Sequence, residues 1–330
     1  MTVSCMLRTE HPGVIVRVSQ KATMNWDTVK PPTPSAFPRD GAALDLMDKA
    51  ISGPIFRLKL GLVLECALSV PGCFFGMPST MSIGPGLIAV MVATKVRTLP
   101  LLLLGVAVTA LVARWAYCLR SANGATAWIF YAPKVFLVAP LIGTVLAYSI
   151  TDDPRALHAG SFYLLSWFVS VLPILTLKSL AHRRRPIASE SAHLGEATAA
   201  AGRSKALGLI CFMLRTGDAN ASFPSGDVAG SVSFAYPLWR CQGAGAGAAV
   251  LIVLSSAFGR MYWHAHHAMD VSAAALIAFL CCTALDVSLS DAAGKGGCPS
   301  VAWYHPFVAL LAIAVQQFFM PQKIAGLKGK

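Results

Sequence analysis

The sequence predicts an all-α fold, a polytopic transmembrane helix bundle, and three observations predict it. First, 55% of the 330 residues are hydrophobic and 13% are charged, with a mean hydropathy of +0.61. An ordinary soluble domain carries about 25% charged residues. Second, apolar runs approaching the ~20 residues that a helix needs to cross the hydrocarbon core recur along the chain, enough for about eight or nine spans. Third, the basic residues that give a net charge of +12 fall between those runs and form no basic-aromatic recognition module. That placement argues against a nucleic-acid partner and fits anionic membrane lipids.

Residues 1–53 are mixed and polar, with a proline cluster, PPTPSAFP, from Pro31 to Pro38. A disordered N-terminal tail is expected here, with a short helix over Ala42–Ile51 lying at the membrane interface. The segment lacks the apolar core of a secretory signal, which leaves the first span as the targeting signal. Residues 54–98 supply additional membrane segments. They hold a span over Ile55–Phe75 and a shorter stretch, Ile83–Thr94, that carries Gly84, Pro85 and Gly86 at its start and reads as an extra span or a re-entrant piece. Leu99–Leu119, Thr126–Ile150 and Phe162–Leu177 follow. After a long polar loop come Val228–Trp239, Gly243–Phe258 and Val271–Leu285, and a C-terminal extension, 290–330, adds Trp303–Met320 and a basic tail. The run CQGAGAGAAV, Cys241–Val250, reads as a tightly packed span, because small residues let neighbouring backbones approach.

Most of the nine cysteines lie in apolar segments, as Cys118, Cys211, Cys281 and Cys282 do. They show neither a disulfide framework nor metal-ligand spacing, so the expected role is that of a small apolar residue.

Three polar stretches carry chemistry. Ala257–Asp270 reads AFGRMYWHAHHAMD, with five residues between Arg260 and His266 and three between His266 and Asp270. Residues four apart on a helix share a face, so Asp270 is placed to hold the His266 imidazole in one tautomer and raise its basicity. The plainer reading is histidines that bond to headgroups or backbone at an interface. Upstream, six residues separate Lys178 from Arg185 and Pro186 in KSLAHRRRP. That spacing is about two helical turns, which puts Lys178 and Arg185 on one face of a continued helix. Arg183 and Arg184 read as a basic stop. Between these stretches, ASFPSGD places Pro224, Ser225 and Gly226 just before the apolar run from Val228. This marks a helix N-terminus, where free amides bind anions, though an ordinary N-cap serine fits as well.

In this order, Lys-x6-Arg-Pro, Pro-Ser-Gly and Arg-x5-His-x3-Asp resemble the three-part signature of the type 2 phosphatidic acid phosphatase and vanadium haloperoxidase superfamily, in its membrane lipid phosphate phosphatase branch. The resemblance covers Lys178 to Asp270. It implies a catalytic membrane domain over 99–289 around a six-helix core, whose members are the span from Leu99 and those ending at Ile150, Leu177, Trp239, Phe258 and Leu285. It implies that Lys178, Arg185, Ser225, Gly226 and Arg260 hold phosphate, that His266 attacks phosphorus to form a phosphohistidine, and that Asp270 orients His266. It further implies a multi-pass protein of the endoplasmic reticulum, other endomembranes or the plasma membrane, with a lumenal or exoplasmic active loop. His264 and His267 fall off the motif and are expected to be bystanders that titrate near the interface.

The chain departs from the signature at Asp227, where the family usually has the histidine that protonates the leaving alkoxide. A carboxyl group with an ordinary pKa of about 3.9 serves as that acid only if burial or a negative neighbour raises it. Asp227 is the expected general acid, and an acidic optimum follows. Gly259 replaces a serine at the cost of at most one hydrogen bond. Asn220, Ala221 and Ser222 form a glycosylation sequon beside Ser225.

These residues imply an integral membrane phosphatase that hydrolyses lipid phosphate monoesters such as phosphatidate, lysophosphatidate or an isoprenoid or sphingoid phosphate. No metal and no other cofactor is expected: the motif supplies cations and a nucleophile, and no carboxylate cluster suits magnesium. Three alternatives stand beside it. A catalytically impaired lipid-phosphate binder would explain Asp227. A lipid diphosphatase or phosphotransferase would use much the same residues. A transporter would need a continuous path of charge, and Glu65, Arg114 and Lys134 provide none. Haloperoxidase chemistry is disfavoured, because those relatives are soluble.

Overall fold

The computed structural model of the chain describes residues 42–65, 67, 71, 75, 78–94, 144–145, 148–149, 152–181, 183, 186, 203, 222–242, 244–290, 297–302 and 304–319, all within the compact unit Phe37–Lys330. Among them no strand occurs, and the chain forms α1 (Ala42–Arg57), α2 (Pro78–Thr94), α3 (Pro154–Ala181), α4 (Gly226–Arg240), α5 (Ala246–Tyr262), α6 (Ala268–Ser290) and α7 (His305–Phe319). The all-α expectation therefore holds over the described residues. Two helices, α3 with 28 residues and α6 with 23, are long and apolar enough to cross a membrane; α5 and His305–Gln316 are shorter apolar helices. The expected spans at Phe162–Leu177, Val228–Trp239 and Val271–Leu285 lie inside α3, α4 and α6. Leu99–Leu119 lies outside the described residues, as does most of Thr126–Ile150.

α4 is the centre of the bundle. Every residue from Val228 to Leu238 is buried, and α3, α5 and α6 pack around it, with α2 and α7 against α3 and α1 against α5 and α6. Aromatic rings fill the space beside α4. Phe234 meets Phe75 at 5.2 Å between centroids and Tyr163 edge-on at 5.7 Å, a geometry that suits the ring quadrupoles. Gly230 lies where the chain at Phe75 comes closest, and a Cβ there would collide with the Phe75 carbonyl oxygen. The outer faces are apolar instead of polar: Val250, Leu251 and Leu254 on α5, Leu276, Phe279 and Leu280 on α6, and Val308 and Leu311 on α7 are all exposed. An outward apolar surface of this kind suits lipid.

The expected single span over Ile55–Phe75 is interrupted. Ile55 to Arg57 complete α1, and residues 58–61 are not helical. Arg203 supplies the reason. Its guanidinium donates to the carbonyls of Phe56 at 2.7 Å, Leu58 at 3.2 Å and Ile55 at 3.3 Å, satisfying the orphan acceptors at the C-terminus of α1. α1 is also longer than the expected helix over Ala42–Ile51, and its polar side faces inward. Asp48 and Ser52 are fully buried while Leu46, Met47 and Ile51 are exposed.

α3 ends, α4 begins, α5 ends and α6 begins at one end of the bundle, where polar side chains gather. At the other end Asp286 of α6 accepts from Arg240 at 2.7 Å and from Tyr236 at 3.1 Å. Beside that pair Cys241, at the C-cap of α4, is disulfide-bonded to Cys298. This corrects the expectation that the cysteines act only as small apolar residues. Both bonded cysteines lie just outside helix interiors, whereas Cys281 and Cys282, inside α6, are free. The disulfide closes a loop of 57 residues, a cross-link that contributes about 4 kcal/mol by restricting the unfolded chain. It lies about 22 Å from the polar end, at the 1.5 Å rise of a helix the length of α4. Cys298→Ser is therefore expected to lower the thermal midpoint in detergent while leaving kcat of the folded fraction within about twofold; a large loss of kcat at full folding would contradict that separation.

Candidate active site

α5 carries Arg260 to the polar end and stops in a Schellman turn. The Ala265 amide donates to the Arg260 carbonyl at 3.0 Å and the His264 amide to the Met261 carbonyl at 2.8 Å. His264 occupies the left-handed position of that turn, φ 52°, where glycine or asparagine is the usual residue. The turn swings the chain through His266 and into α6, so Arg260 and His266 come from the two sides of one tight corner. On the other flank, Ser225 caps α4: its hydroxyl accepts from the Val228 amide at 3.4 Å, and its own amide donates to the Asp270 carbonyl at 3.0 Å. The N-cap reading of Ser225 thus holds, and its amide is already in use. At Gly226 a Cβ would meet nothing within 4 Å, so the first turn of α4 opens onto free space.

His266 is fully buried. Its Nδ1 lies 2.9 Å from the Ser222 carbonyl and 3.7 Å from Oδ2 of Asp270. A carbonyl only accepts, so Nδ1 carries a proton, and the Ser222 carbonyl is the direct orienting partner. The expected contact from Asp270 is real but longer. Asp270 acts instead as the hub of the corner. Its Oδ1 accepts from Arg183 at 2.7 Å, and its Oδ2 accepts from the His267 amide at 2.8 Å and from the Ser222 hydroxyl. Ser222 is tied a third way, through its amide to the Arg183 carbonyl at 2.6 Å. A buried carboxylate requires this many donors, because an ion left unpaired in a low dielectric costs several kcal/mol.

Nε2 of His266 faces Asp227. Oδ2 of Asp227 lies 3.4 Å from Nε2 and 2.6 Å from Nη2 of Arg260. An arginine and the outer nitrogen of the histidine therefore converge on one oxygen of a negatively charged group. Of the other expected phosphate ligands, Lys178 is buried in the last turn of α3, and Arg185 lies outside the described residues, as does Asn220 of the sequon.

Two further residues stand at the site. Arg183, part of the expected basic stop, is buried and bridges Asp270 to Asp48 of α1. Its signal was the spacing RRR before a proline, which leaves three candidate registers. Ser222, noticed only as the end of a sequon, is the partner of both His266 and Asp270. His264 and His267 remain outside the converging groups. His264 stacks on Phe56 at 4.7 Å, and burial, with help from the nearby Arg203 charge, lowers its pKa to about 4. It is neutral at pH 6.5 and does not titrate there as an interfacial histidine would.

Residues 159–290 match the family model of the PAP2 superfamily. The match spans Lys178, Ser225, Asp227, Arg260, His266 and Asp270, while α1 lies outside it. No curated protein and no solved structure matches the chain. A PAP2 superfamily domain points to phosphatase-type chemistry.

The depressed His264 value fixes a pH dependence of folding. A histidine with an unfolded pKa of about 6.5 and a folded value of about 4 binds more protons when unfolded. It contributes stability that is complete above about 6.5 and is lost as pH falls toward about 4. His264→Asn suits the left-handed position and removes the titration; its thermal midpoint is expected to fall less than that of the wild type between pH 6.5 and pH 4. Parallel curves for the two proteins would show that His264 has no part in the acid sensitivity.

Proposed function

We propose that the chain is a membrane-embedded phosphatase that hydrolyses lipid phosphate monoesters through a phosphohistidine on His266. One observation carries the reading: Nε2 of a histidine whose Nδ1 is committed to a carbonyl points at the same oxygen that Arg260 holds. A nucleophile and a cation aimed at one anionic atom are the two parts that phosphoryl transfer most needs. The apolar outer faces of α5, α6 and α7 support a bilayer setting, and a multi-pass chain with its site at one end of the bundle lets a lipid enter sideways.

Asp227 stands where the phosphoryl group would be. With Nδ1 donating to Ser222, a lone pair on Nε2 would face a carboxylate oxygen at 3.4 Å, a contact that is favourable only with a proton between them. That proton gives the cycle. Substrate phosphate displaces the Asp227 carboxylate from Arg260, and Asp227 leaves with the proton. The freed Nε2 attacks phosphorus, the P–O ester bond breaks, and Asp227 gives its proton to the departing alkoxide. Water then attacks the phosphoryl group, Asp227 takes its proton, and the P–N bond breaks to release phosphate. Lys178, Arg185, the Gly226 amide and Arg260 offset the charge on the phosphoryl oxygens, with no metal required.

Phosphate release from phosphatidate in mixed micelles containing EDTA, followed from pH 4 to 8, is the test. Activity is expected to survive EDTA, to be greatest on the acidic side, and to fall at least about 10³-fold in His266→Ala. Asp227→Asn separates two roles. As the acid, its loss lowers kcat by about 10²-fold or more; as a plug alone, its loss raises kcat/KM at neutral pH. Full activity in His266→Ala would overturn the phosphohistidine reading.

A further inference from the structure

α1 touches the site from outside the superfamily domain, and its contacts converge on one corner. Asp48 Oδ1 accepts from the Met269 amide at 2.9 Å, and Ser52 Oγ accepts from the Ala268 amide at 2.9 Å. These amides belong to the first turn of α6, which has no partner of its own for them. Asp48 and Ser52 thus cap α6 from another helix, and the Asp48 charge complements the positive end of its dipole. The same carboxylate presents Oδ2 to Nη2 of Arg183, whose Nη1 is 2.7 Å from Asp270 Oδ1. Asp48, Ser52 and Asp270 are each fully buried, and Arg183 is 8% exposed, so little water screens these bonds.

We propose that Asp48 is a positioning residue for the nucleophile: it fixes the Arg183 guanidinium and the first turn of α6, and through them the Asp270–Ser222 pair that holds the His266 ring. The proposal rests on the phosphohistidine reading above. It gives the inward turn of Asp48 and Ser52 a role, while Leu46, Met47 and Ile51 face outward like the apolar residues of α5, α6 and α7. It also explains the Arg203 anchor, which holds the other end of α1 by its carbonyls while its guanidinium carbon lies 3.9 Å from the centre of the Tyr262 ring, at the C-terminus of α5. α1 is tied to both helices that form the catalytic corner. A helix that only covered the surface would need neither tie.

Asp48 touches no reacting atom in this scheme, so its effect falls on ring orientation and appears in kcat. The full chain in phosphatidate–detergent micelles is compared with Asp48→Asn, Asp48→Ala and Arg183→Lys. Asp48→Asn keeps an acceptor for the Met269 amide and loses the charge opposite Arg183; Arg183→Lys keeps the charge and loses the fork. Misplacing a nucleophile by a fraction of an ångström is expected to lower kcat about 10- to 100-fold in both, with KM within about twofold. Asp48→Glu, which restores the charge, is expected to recover part of the loss. Hydrogen exchange over residues 266–271 is expected to quicken in Asp48→Ala while exchange in α4 stays slow. Unchanged kcat in Asp48→Asn, or a loss that follows only the folded fraction, overturns the proposal. If the wild type releases no phosphate from phosphatidate, the functional reading falls, and exchange decides the positioning claim alone: unaltered protection at 266–271 in Asp48→Ala would remove it, and faster exchange would uphold it.

Discussion

The buried carboxylate of Asp270 is the constraint on which the polar end of this protein depends. A negative charge with no exposure to water has to be met by donors, and those donors come from three separate parts of the chain, with a fourth part holding one of them. Arg183 follows α3, Ser222 precedes α4, the His267 amide belongs to the turn after α5, and Asp48 of α1 completes the ring by holding Arg183. Satisfying one ion therefore sets the relative positions of four helix ends. His266 inherits its orientation from that arrangement, because the Ser222 carbonyl that accepts from its Nδ1 belongs to the same residue whose hydroxyl donates to Asp270. Fold and site are one problem here: the outer faces of α5, α6 and α7 are apolar, and the polar side chains gather at one end of the bundle.

Much of this was legible in the sequence. The helices α3, α4 and α6 announce themselves as apolar runs, and each begins or ends at a motif residue, so local order along the chain already placed Lys178, Ser225, Arg260, His266 and Asp270 at helix ends. The spacing of His266 and Asp270 suggested direct pairing on one helix face. The structure places His266 in the turn before α6, so the helical offset does not apply and a backbone carbonyl takes the nearer position. Backbone carbonyls carry no sequence signal, which is why the Ser222 contact was invisible. Arg183 and Asp48 were hidden for a different reason. Their pairing spans 135 residues, and no local period reveals that Arg183 turns inward. The disulfide likewise joins Cys241 to a residue 57 positions away, a pairing that only tertiary structure discloses.

Asp227 links the departure from the family signature to a physical role. A histidine at this position would place a neutral or positive ring beside Arg260; an aspartate places a negative charge there and makes its own ion pair. The resting site is then electrostatically complete without substrate. In the proposed cycle a phosphate ester, with more negative charge than a carboxylate, displaces it, and the displaced group carries away the proton that the nucleophile must lose. Under that proposal acid and nucleophile are prepared by the same event, so the substitution alters how the step is coupled to binding without removing a needed part.

The most direct test of the central claim is rapid-quench trapping of the enzyme during turnover of radiolabelled phosphatidate, followed by peptide mapping under alkaline conditions that preserve phosphohistidine. An acid-labile, base-stable label on the peptide that contains His266, absent in His266→Ala, is the predicted result. Phosphate release at the wild-type rate with no label on that peptide, or with the label at another residue, would contradict the account.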